Sequence, residues 1–566
     1  MLRVPLLCLA IFAAAWLEFT VFPGHSYLEG DTQLYLPMLE RVDAPGLLSR
    51  DLVATNGSLA LTAYDEATLL LHRAGRQAFR RALLEQQFLF RLAALLGVFL
   101  LARATGLSHL FAFVVAAVVN LGATLAGAAV FLTDREPLPG AFSFSLSVLG
   151  MGLLAHELPL LAGFAGGLAF LYDPILALPF WGVLLSGFVF DRRMRRLARP
   201  LLPVFLVFVL LLANLAQLQP GTAGEPLLAR VPVQLALFQR TYAPYLYVSA
   251  WPPGEVYQVL ALFVFGLWAA SRCWPLLPAC FRWLVLGTGL CGLMSIPVSY
   301  LLLDENHFAW AARLEPARAL LFSVAAAALL FGLAGMRAIL RRSAWEALAW
   351  FVLLFSLPVS RGLFDFLRLS TGQRLSQFAM ALALAALLTS LLLGFATGTG
   401  RFVILAAPLF AAFALTWVPG LRPAPIPMLP SIAGLAKWAD ASTWGSSVFL
   451  FADAGRARYP GVFRAQSRHA LWVDWKSAQG VAYSQNAAAR WQERWRDTMA
   501  DGFSIAGLER MLPLPIDYYV LRTRNQLLNA RQAFRNRDFV VYDAEDLRNA
   551  GKPLRLACGA AMPCAE

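Results

Sequence analysis

The sequence predicts a polytopic α-helical membrane protein that ends in a soluble α/β domain. Of its 566 residues, 59% are hydrophobic and only 14% are charged. A soluble chain of this composition would have to place most of its residues in the interior, whereas lipid can solvate the apolar surface directly. Apolar runs close to the ~20 residues that a membrane span needs recur along the chain. Near residue 420 this pattern stops, and short strand-like and helix-like segments follow.

We predict about thirteen spans from these runs. The first, Val4–Phe22, is interpreted as a signal anchor, because no small-residue cleavage site precedes Phe22 and many more spans follow it. The two short runs on either side of His156 have an alternative reading as one re-entrant pair. The other predicted spans are Phe88–Ala104, Leu110–Leu132, Ala141–Ala155, Leu158–Tyr172, Pro174–Phe190, Leu201–Leu218, Val256–Ala270, Trp283–Leu303, Ala319–Gly335, Trp345–Pro358, Phe378–Phe395 and Phe402–Val418.

Charges alternate between successive loops, which predicts the orientation of the spans. One set of loops is basic and contains Arg192, Arg193, Arg195, Arg196, Arg199, Arg272, Arg282, Arg337, Arg341, Arg342 and Arg401. The opposite set contains Asp31, Asp51, Asp65, Asp134, Glu136, Asp304, Glu305 and Asp365. Basic loops stay in the cytoplasm. We therefore expect a cytoplasmic N-terminus, and both the long polar loops and the C-terminal domain on the outer face.

The chain divides into three predicted parts: a transmembrane domain at residues 1–418 with a large first outer loop at 23–87, a proline-rich linker at 419–431, and an outer α/β domain at 432–566. Alternating strands and helices predict a partly parallel sheet in the last part. Cys558 and Cys564 would form a disulfide if this tail is exported. The predicted strands are Ser447–Phe451, Ala470–Val473, Asp517–Leu521 and Phe539–Tyr542, and the predicted helices are Ala487–Met499, Ser504–Met511 and Gln526–Phe534.

The first outer loop carries the acids that we consider catalytic. Glu29 and Asp31 flank Gly30, whose backbone freedom allows both carboxylates to face one point, and Asp51 follows. Just above the lipid boundary, a carboxylate can activate a hydroxyl group or bind a cation. The alternative is a solvated loop with ordinary helix caps. Farther on, Leu71–Leu84 predicts one amphipathic helix lying at the membrane interface.

Later outer loops carry further charges. In the turn Thr133–Pro137, Asp134 and Glu136 are candidate cation ligands and Arg135 a candidate phosphate ligand, unless all three are simply solvated. His307, Arg313 and Arg318 are candidate phosphate ligands, the two arginines as a pair because guanidinium forks bind such oxygens in bidentate fashion. Asp173, directly before Pro174, is best explained as a helix N-cap.

The C-terminal domain has a basic segment around one predicted strand. Arg464, Arg468, His469, Asp474 and Lys476 lie close together in sequence, where they would bind an acceptor glycan or a phosphate, or would merely decorate a strand. The domain has neither a nucleotide-binding glycine-rich loop nor a Gly-x-Ser-x-Gly motif.

A signal-anchor helix, an acidic outer loop, about thirteen spans and an exported domain resemble the membrane-embedded glycosyltransferases of the C-type fold (GT-C). The segments Gly30–Pro37 and Arg468–Lys476 resemble an uncharacterised family of polytopic bacterial membrane proteins with a C-terminal domain of unknown function. The resemblance implies an inner-membrane transferase that takes sugar from a polyprenyl-phosphate donor to a periplasmic glycan, lipid or protein acceptor. Asp31 matches the position of the family's base or metal ligand, where the metal would be Mg²⁺ or Mn²⁺.

Two other classes of function stay open at this stage. A transporter or flippase for lipid-linked glycans usually has charges or broken helices at midplane, and the predicted spans look nearly free of buried charge. A non-catalytic scaffold for envelope polysaccharide would use the outer domain to bind a partner. The basic composition follows from arginine usage across the whole chain and is not taken to indicate nucleic acid.

Overall fold

The computed structural model describes residues 3–56, 62–122, 124–125, 128–218, 229–357, 374–395, 430–549 and 553–556. The chain forms two compact units. The first comprises Met1–His25, Ala60–Arg230 and Pro244–Ala424, and the second comprises Ser26–Leu59, Val231–Ala243 and Pro425–Glu566. Two segments from the predicted outer loops therefore belong to the same unit as the C-terminal domain.

The first unit is helical and apolar. Within the described residues, four helices are long and apolar enough to cross a membrane: Phe79–Ala104, Pro253–Leu276, Ala279–Glu305 and Ala309–Leu340. A pair bent by 52°, Arg192–Ala198 and Leu201–Leu215, is a fifth if it acts as one span. The chain is thus a multi-pass membrane protein. Shorter apolar helices are Pro5–Thr20, His109–Val119, Pro139–Ala155, Pro159–Tyr172, Pro174–Phe190, Ala344–Ser356 and Phe378–Gly394.

The packing of this unit centres on one helix. In Ala309–Leu340, 83% of the most apolar stretch is buried, against 33% to 44% in the other three long helices. Small residues allow close packing: a Cβ on Gly292 would collide with the backbone of Ala319, and one on Gly335 with the ring of Phe351. Among the described residues, the unit's remaining helices and turns are Tyr64–Gly75, Pro244–Leu246 and Val248–Ala250.

Each of the twelve predicted spans before Phe402 overlaps a helix, and Phe402–Val418 lies outside the described residues. The prediction of one span over Leu110–Leu132 is wrong, because the helix His109–Val119 ends early. Asn120 turns its side chain back to the Ala116 carbonyl, and Gly122 takes a positive φ of 90°. A short antiparallel hairpin follows, formed by β1 (Thr124–Leu125) and β2 (Val130–Phe131).

The predicted amphipathic helix Leu71–Leu84 is also wrong, because the chain breaks at Arg76. Helix Tyr64–Gly75 ends there, and Arg76 adopts the left-handed conformation with φ 47°. The Gln77 amide closes the end by donating to the His72 carbonyl at 3.1 Å. The next helix, Phe79–Ala104, combines the second half of the predicted interface helix with the following span.

The predicted spans also contain buried charge, contrary to the expectation from sequence. Glu18 and Arg91 are each only 6% exposed. The Arg91 guanidinium donates to the carbonyls of Glu18 at 3.0 Å, Gly24 at 2.7 Å and Asp134 at 2.7 Å. Arg91 therefore joins three separate segments of the first unit. Because the helices do contain buried charge, a transporter cannot be argued against on the ground that they lack it.

The second unit contains a five-stranded mixed sheet. The strands are β3 (Val448–Phe451), β4 (Ala470–Leu471), β5 (Tyr518–Arg522), β6 (Phe534–Arg535) and β7 (Phe539–Asp543), in the order β4-β3-β5-β7-β6. Strand β3 pairs in parallel with β4 and β5, whereas β7 is antiparallel to β5 and β6. The helices are Thr32–Asp43, Leu52–Thr55, Val233–Tyr242, Pro430–Ser442, Tyr459–Ser467, Ser477–Val481, Gln485–Thr498, Ile505–Met511 and Ala544–Arg548.

The four predicted strands are present, and so are two of the three predicted helices. The predicted helix Gln526–Phe534 is wrong. After the turn Thr523–Asn525 no helix forms: the Leu527 amide donates to Tyr542 Oη at 2.7 Å, Leu527 pairs with Leu556, and bends lead into β6. Most of the predicted linker, residues 419–429, lies outside the described residues, as do Cys558 and Cys564.

Aromatic packing explains why the segment Val231–Ala243 belongs to the second unit. Phe238 and Tyr242 pack edge-on against Trp491, with ring centroids 5.6 and 4.9 Å apart. Tyr242 also contacts Trp475 at 5.1 Å. The Gln239 amide donates to the Ala482 carbonyl at 2.8 Å. Large aromatic surfaces of this kind contribute most of the packing energy of small domains.

Candidate functional site

Asp51 fastens the first-loop segment to the sheet. One carboxylate oxygen accepts from the amides of Val53 at 2.9 Å and Ala54 at 3.0 Å, so Asp51 is the N-cap of the short helix Leu52–Thr55. The other oxygen accepts from the amide of Leu471 in β4 at 3.1 Å. The side chain is 1% exposed. A catalytic role is therefore not favoured, because both oxygens are buried and occupied.

Arg464 completes this buried network. Its Nη1 lies 2.9 Å from Oδ1 of Asp474 and 3.7 Å from Oδ2 of Asp51, and all three side chains are 1% exposed. Nη2 donates to the Gln33 carbonyl at 3.1 Å. Burial by itself would lower the pKa of Arg464, but the charges of Asp474 and Asp51 outweigh it and hold that pKa above its usual value. Arg464 and Asp474 are thus structural rather than acceptor-binding.

Like Glu29 and unlike Asp51, Asp31 is partly exposed to solvent. It stands at the N-terminus of helix Thr32–Asp43, and its Oδ1 lies 2.6 Å from Nζ of Lys476. The Asp31 side chain is 36% exposed and the Lys476 side chain 15%. Lys476 Nζ also donates to Oε1 of Gln479. The Asp31 carboxylate is thus open to solvent on one side, as a general base that meets a hydroxyl group has to be.

Two arginines contact residues that neighbour Asp31 and Lys476 in the chain. Arg458 Nη1 donates to the Glu29 carbonyl at 3.4 Å. The Arg456 guanidinium lies 4.6 Å from the ring centroid of Trp475, which directly precedes Lys476 in the chain. The segment that holds Asp31 therefore lies against a basic and aromatic surface of the sheet domain. Such a surface suits a negatively charged or sugar-containing ligand.

The other two predicted acceptor ligands are not at this pair. His469 is 2% exposed, and its ring contacts the carbonyls of Ser467 at 2.6 Å and Trp444 at 3.1 Å. Burial lowers the pKa of His469 despite these two hydrogen bonds. The predicted acceptor role of His469 is not supported, since the ring is enclosed. Arg468 is exposed but pairs with Asp440 at 2.9 Å.

The predicted phosphate ligands lie in the first unit. Arg313 and Arg135 are exposed, and the Arg135 carbonyl accepts from Gln87. Arg318 forms an ion pair with Glu315, which already offsets its charge. The ring of His307 contacts the Leu303 carbonyl at 2.7 Å. Asp173 caps helix Pro174–Phe190 through the amides of Ile175 and Leu176, as the sequence predicts.

The predicted metal ligands do not form one group. Asp31 belongs to the second unit, whereas Asp134 and Glu136 belong to the first, where Asp134 Oδ1 accepts from the Glu136 amide at 3.1 Å. Across the described parts of the chain, no cluster of three or more His, Cys, Asp or Glu side chains could hold a metal ion. Beside Asp31 the positive charge comes from Lys476, so these residues do not fit a metal site.

No protein-family model matches the sequence, and a search of curated proteins finds no relative. The structure is similar to ArnT from Cupriavidus metallidurans in the apo state, with 13% identity, a TM-score of 0.42, and 96% of this chain and 97% of ArnT covered. It is also similar to the mycobacterial arabinofuranosyltransferase AftD, with 15% identity, a TM-score of 0.43, and 95% of this chain but 41% of AftD covered.

A third similar structure is the oligosaccharyltransferase of Archaeoglobus fulgidus in complex with zinc and sulfate. Here the identity is 14% and the TM-score 0.34, with 91% of this chain and 68% of the other covered. Identities in this range do not transfer the role of any residue. The role of Asp31 therefore depends on its own contacts.

Proposed function

We propose that this protein transfers a sugar from a polyprenyl-phosphate-linked donor to an acceptor on the periplasmic face of the bacterial inner membrane. The observation that carries the proposal is the solvent-accessible Asp31 carboxylate beside Lys476. Among the acids predicted as catalytic, Asp51 is enclosed, whereas the Asp31 side chain keeps 36% of its surface open. The acidic loop after the first span resembles that of GT-C enzymes, and this resemblance also favours Asp31 as the catalytic residue.

In the proposed reaction Asp31 is the general base. Its carboxylate takes the proton of the acceptor hydroxyl as the acceptor oxygen bonds to the anomeric carbon of the donor sugar. The bond from that carbon to the phosphate oxygen breaks, and its electron pair leaves with the polyprenyl phosphate. In the structure the Lys476 ammonium occupies Oδ1 of Asp31 at 2.6 Å. We therefore propose that Lys476 shifts to the donor phosphate before the proton moves.

The first unit carries its own candidate ligands for an anionic lipid headgroup. We propose Arg135 and Arg313, which are both exposed there, as contacts of a lipid phosphate, to be tested separately from the Asp31–Lys476 pair of the second unit. Arg318, which pairs with Glu315, and His307, whose ring contacts a backbone carbonyl, are further candidates. The periplasmic orientation follows from the loop charges and is part of the proposal.

The test is transfer from a panel of radiolabelled polyprenyl-phosphate sugars by purified protein in lipid nanodiscs. We expect activity with at least one donor, and a loss of about 100-fold or more in Asp31→Asn, the range usual for removal of a general base. Asp43→Asn, at the other end of the same helix, is the matched control and should stay active. No transfer by the wild type across the panel would favour a scaffold or a transporter instead.

A further inference from the structure

A second polar site lies in the second unit, on the side of strand β4 where the first-loop segment passes. It is an open cleft of about 440 Å³. Three arginines line it: Arg50 from the first-loop segment, and Arg490 and Arg494 from helix Gln485–Thr498. Trp472 and Pro515 contribute apolar walls. A cleft of this volume is within the usual range for sites that bind small molecules.

The charges of the cleft are only partly balanced. Arg50 pairs with Asp517 at 3.1 Å and donates to the Pro515 carbonyl at 2.7 Å. Within the described residues, neither Arg490 nor Arg494 has a carboxylate oxygen within 4 Å, although other polar contacts hold them. Two guanidinium charges are therefore left for a ligand.

Arg494 is held in place before any ligand arrives. Its guanidinium lies 4.0 Å from the ring centroid of Trp472, and Nη1 donates to the Trp472 carbonyl at 2.9 Å. Burial lowers the pKa of Arg494; Asp51 opposes this effect, and the like charges of Arg490 and Arg50 add to it. The indole nitrogen of Trp472 is buried and has no hydrogen-bond partner in the described parts of the chain. Like charges gathered in one place are stabilised when an anion binds among them.

We propose that this cleft binds a phosphate monoester through Arg490 and Arg494, with Arg50 at its rim. Two uncompensated guanidinium groups match the double charge of a phosphate monoester better than the single charge of a carboxylate. The two arginines are four residues apart and so project from the same face of their helix. The remaining volume of the cleft accommodates the sugar or glycerol group that carries the phosphate. The proposal does not depend on the transfer reaction.

Calorimetric binding to the full chain in zwitterionic nanodiscs tests this proposal. The probes are glucose 1-phosphate, glucuronate, glucose, and vesicles that contain phosphatidic acid. We expect glucose 1-phosphate to bind more tightly than glucuronate or glucose, and Arg490→Gln/Arg494→Gln to weaken that binding by about tenfold or more. If vesicles compete with glucose 1-phosphate for binding, the natural phosphate belongs to a lipid headgroup. If they do not compete, it belongs to a soluble sugar phosphate. Both results support a phosphate site in the cleft.

Two further variants guard against misfolding. Arg490→Gln alone changes an exposed side chain and should also weaken binding, at an unchanged Tm. Arg496→Gln removes another exposed arginine of the same helix, one that pairs with Asp497 outside the cleft, and should leave binding unaltered. Wild-type binding in Arg490→Gln, an equal loss in Arg496→Gln, equal affinity for glucuronate, or no binding of glucose 1-phosphate would each overturn the proposal.

Discussion

Nζ of Lys476 lies 2.6 Å from Oδ1 of Asp31, although 445 residues separate them in the chain. The contact brings together the loop after the first helix and the C-terminal sheet domain within one compact unit. A first-loop acid and a C-terminal cation thus form a single candidate site. The same unit contains a buried ion network that holds the loop segment in place, and its parts can be tested separately.

Arg464 should be essential for the stability of the second unit. Arg464→Met leaves Asp51 and Asp474 buried without their cation, and breaking a buried pair in this way costs about 3–5 kcal/mol. Hydrogen exchange of the amides in β3 and β4 measures this loss of stability. Arg510→Met, which removes a surface pair with Asp501, is the control and should change stability by less than about 1 kcal/mol. Equal effects of the two variants would contradict a network role for Arg464.

Gly461 should be required for close packing of the first-loop helix. A Cβ at this position would overlap with Oε1 of Gln33 and come within 3.1 Å of its Cδ. Gln33 has little room to move, because it is 1% exposed and its amide donates to the Leu28 carbonyl at 2.7 Å. Gly461→Ala should therefore destabilise the unit by about 1–3 kcal/mol.

A double-mutant cycle tests this explanation. Gln33→Ala combined with Gly461→Ala should cost less than the sum of the single changes, because the shorter side chain removes the overlap. Strict additivity in thermal unfolding would show that Gly461 acts through some other contact.

Glu40 should make the second unit less stable at high pH. It is 8% exposed, and burial raises the pKa of its carboxyl group well above the usual value; Arg468 opposes this shift and Asp440 adds to it. A raised pKa in the folded state means that stability is lost as the pH rises from the unfolded value through the folded value. Glu40→Gln should raise the Tm at pH 8 and leave it nearly unchanged at pH 4. A lower Tm at pH 8 would contradict the expected cost of the buried charge.

His469 should have the opposite pH dependence. Burial lowers the pKa of its ring, so the unfolded chain takes up the proton first as the pH falls below the ordinary value of 6.5. The stability that depends on the neutral ring is present above this pH and declines below it. His469→Gln should therefore flatten the Tm profile between pH 7.5 and 5. An unchanged slope would show that the ring titrates normally in the folded protein.

Local sequence patterns predict the elements but not their long-range pairs. The four predicted strands are correct because each is a short buried apolar run. The predicted spans overlap helices because they too are apolar runs. The helix break at Arg76 and the hairpin after Val119 are missed, because apolar composition conceals a change of backbone conformation. Sequence cannot assign Asp51 and Arg464 to one buried network, because their contact depends on how the first loop docks on β4.

The residues of the candidate site could be predicted from the sequence, but their pairing could not. Asp31 and Lys476 are each predicted from their own short motif, one as a base and the other as an acceptor ligand, and no spacing rule joins them. The arginine cleft is missed entirely, because Arg50, Arg490 and Arg494 come from two distant segments. Its one local signal is the four-residue spacing of Arg490 and Arg494, which is also usual on a solvated helix face.

The exchanged pair Asp31→Lys/Lys476→Asp tests the central claim most directly. This variant keeps the ion pair but moves the carboxylate to the other chain segment, so a purely structural pair would function in either orientation. The measurement is the single-turnover rate of sugar transfer by the exchanged variant in nanodiscs, alongside its Tm. If Asp31 is the catalytic base, the exchanged variant should have a nearly normal Tm and a transfer rate as low as that of Asp31→Asn. Recovery of the wild-type transfer rate would contradict this account.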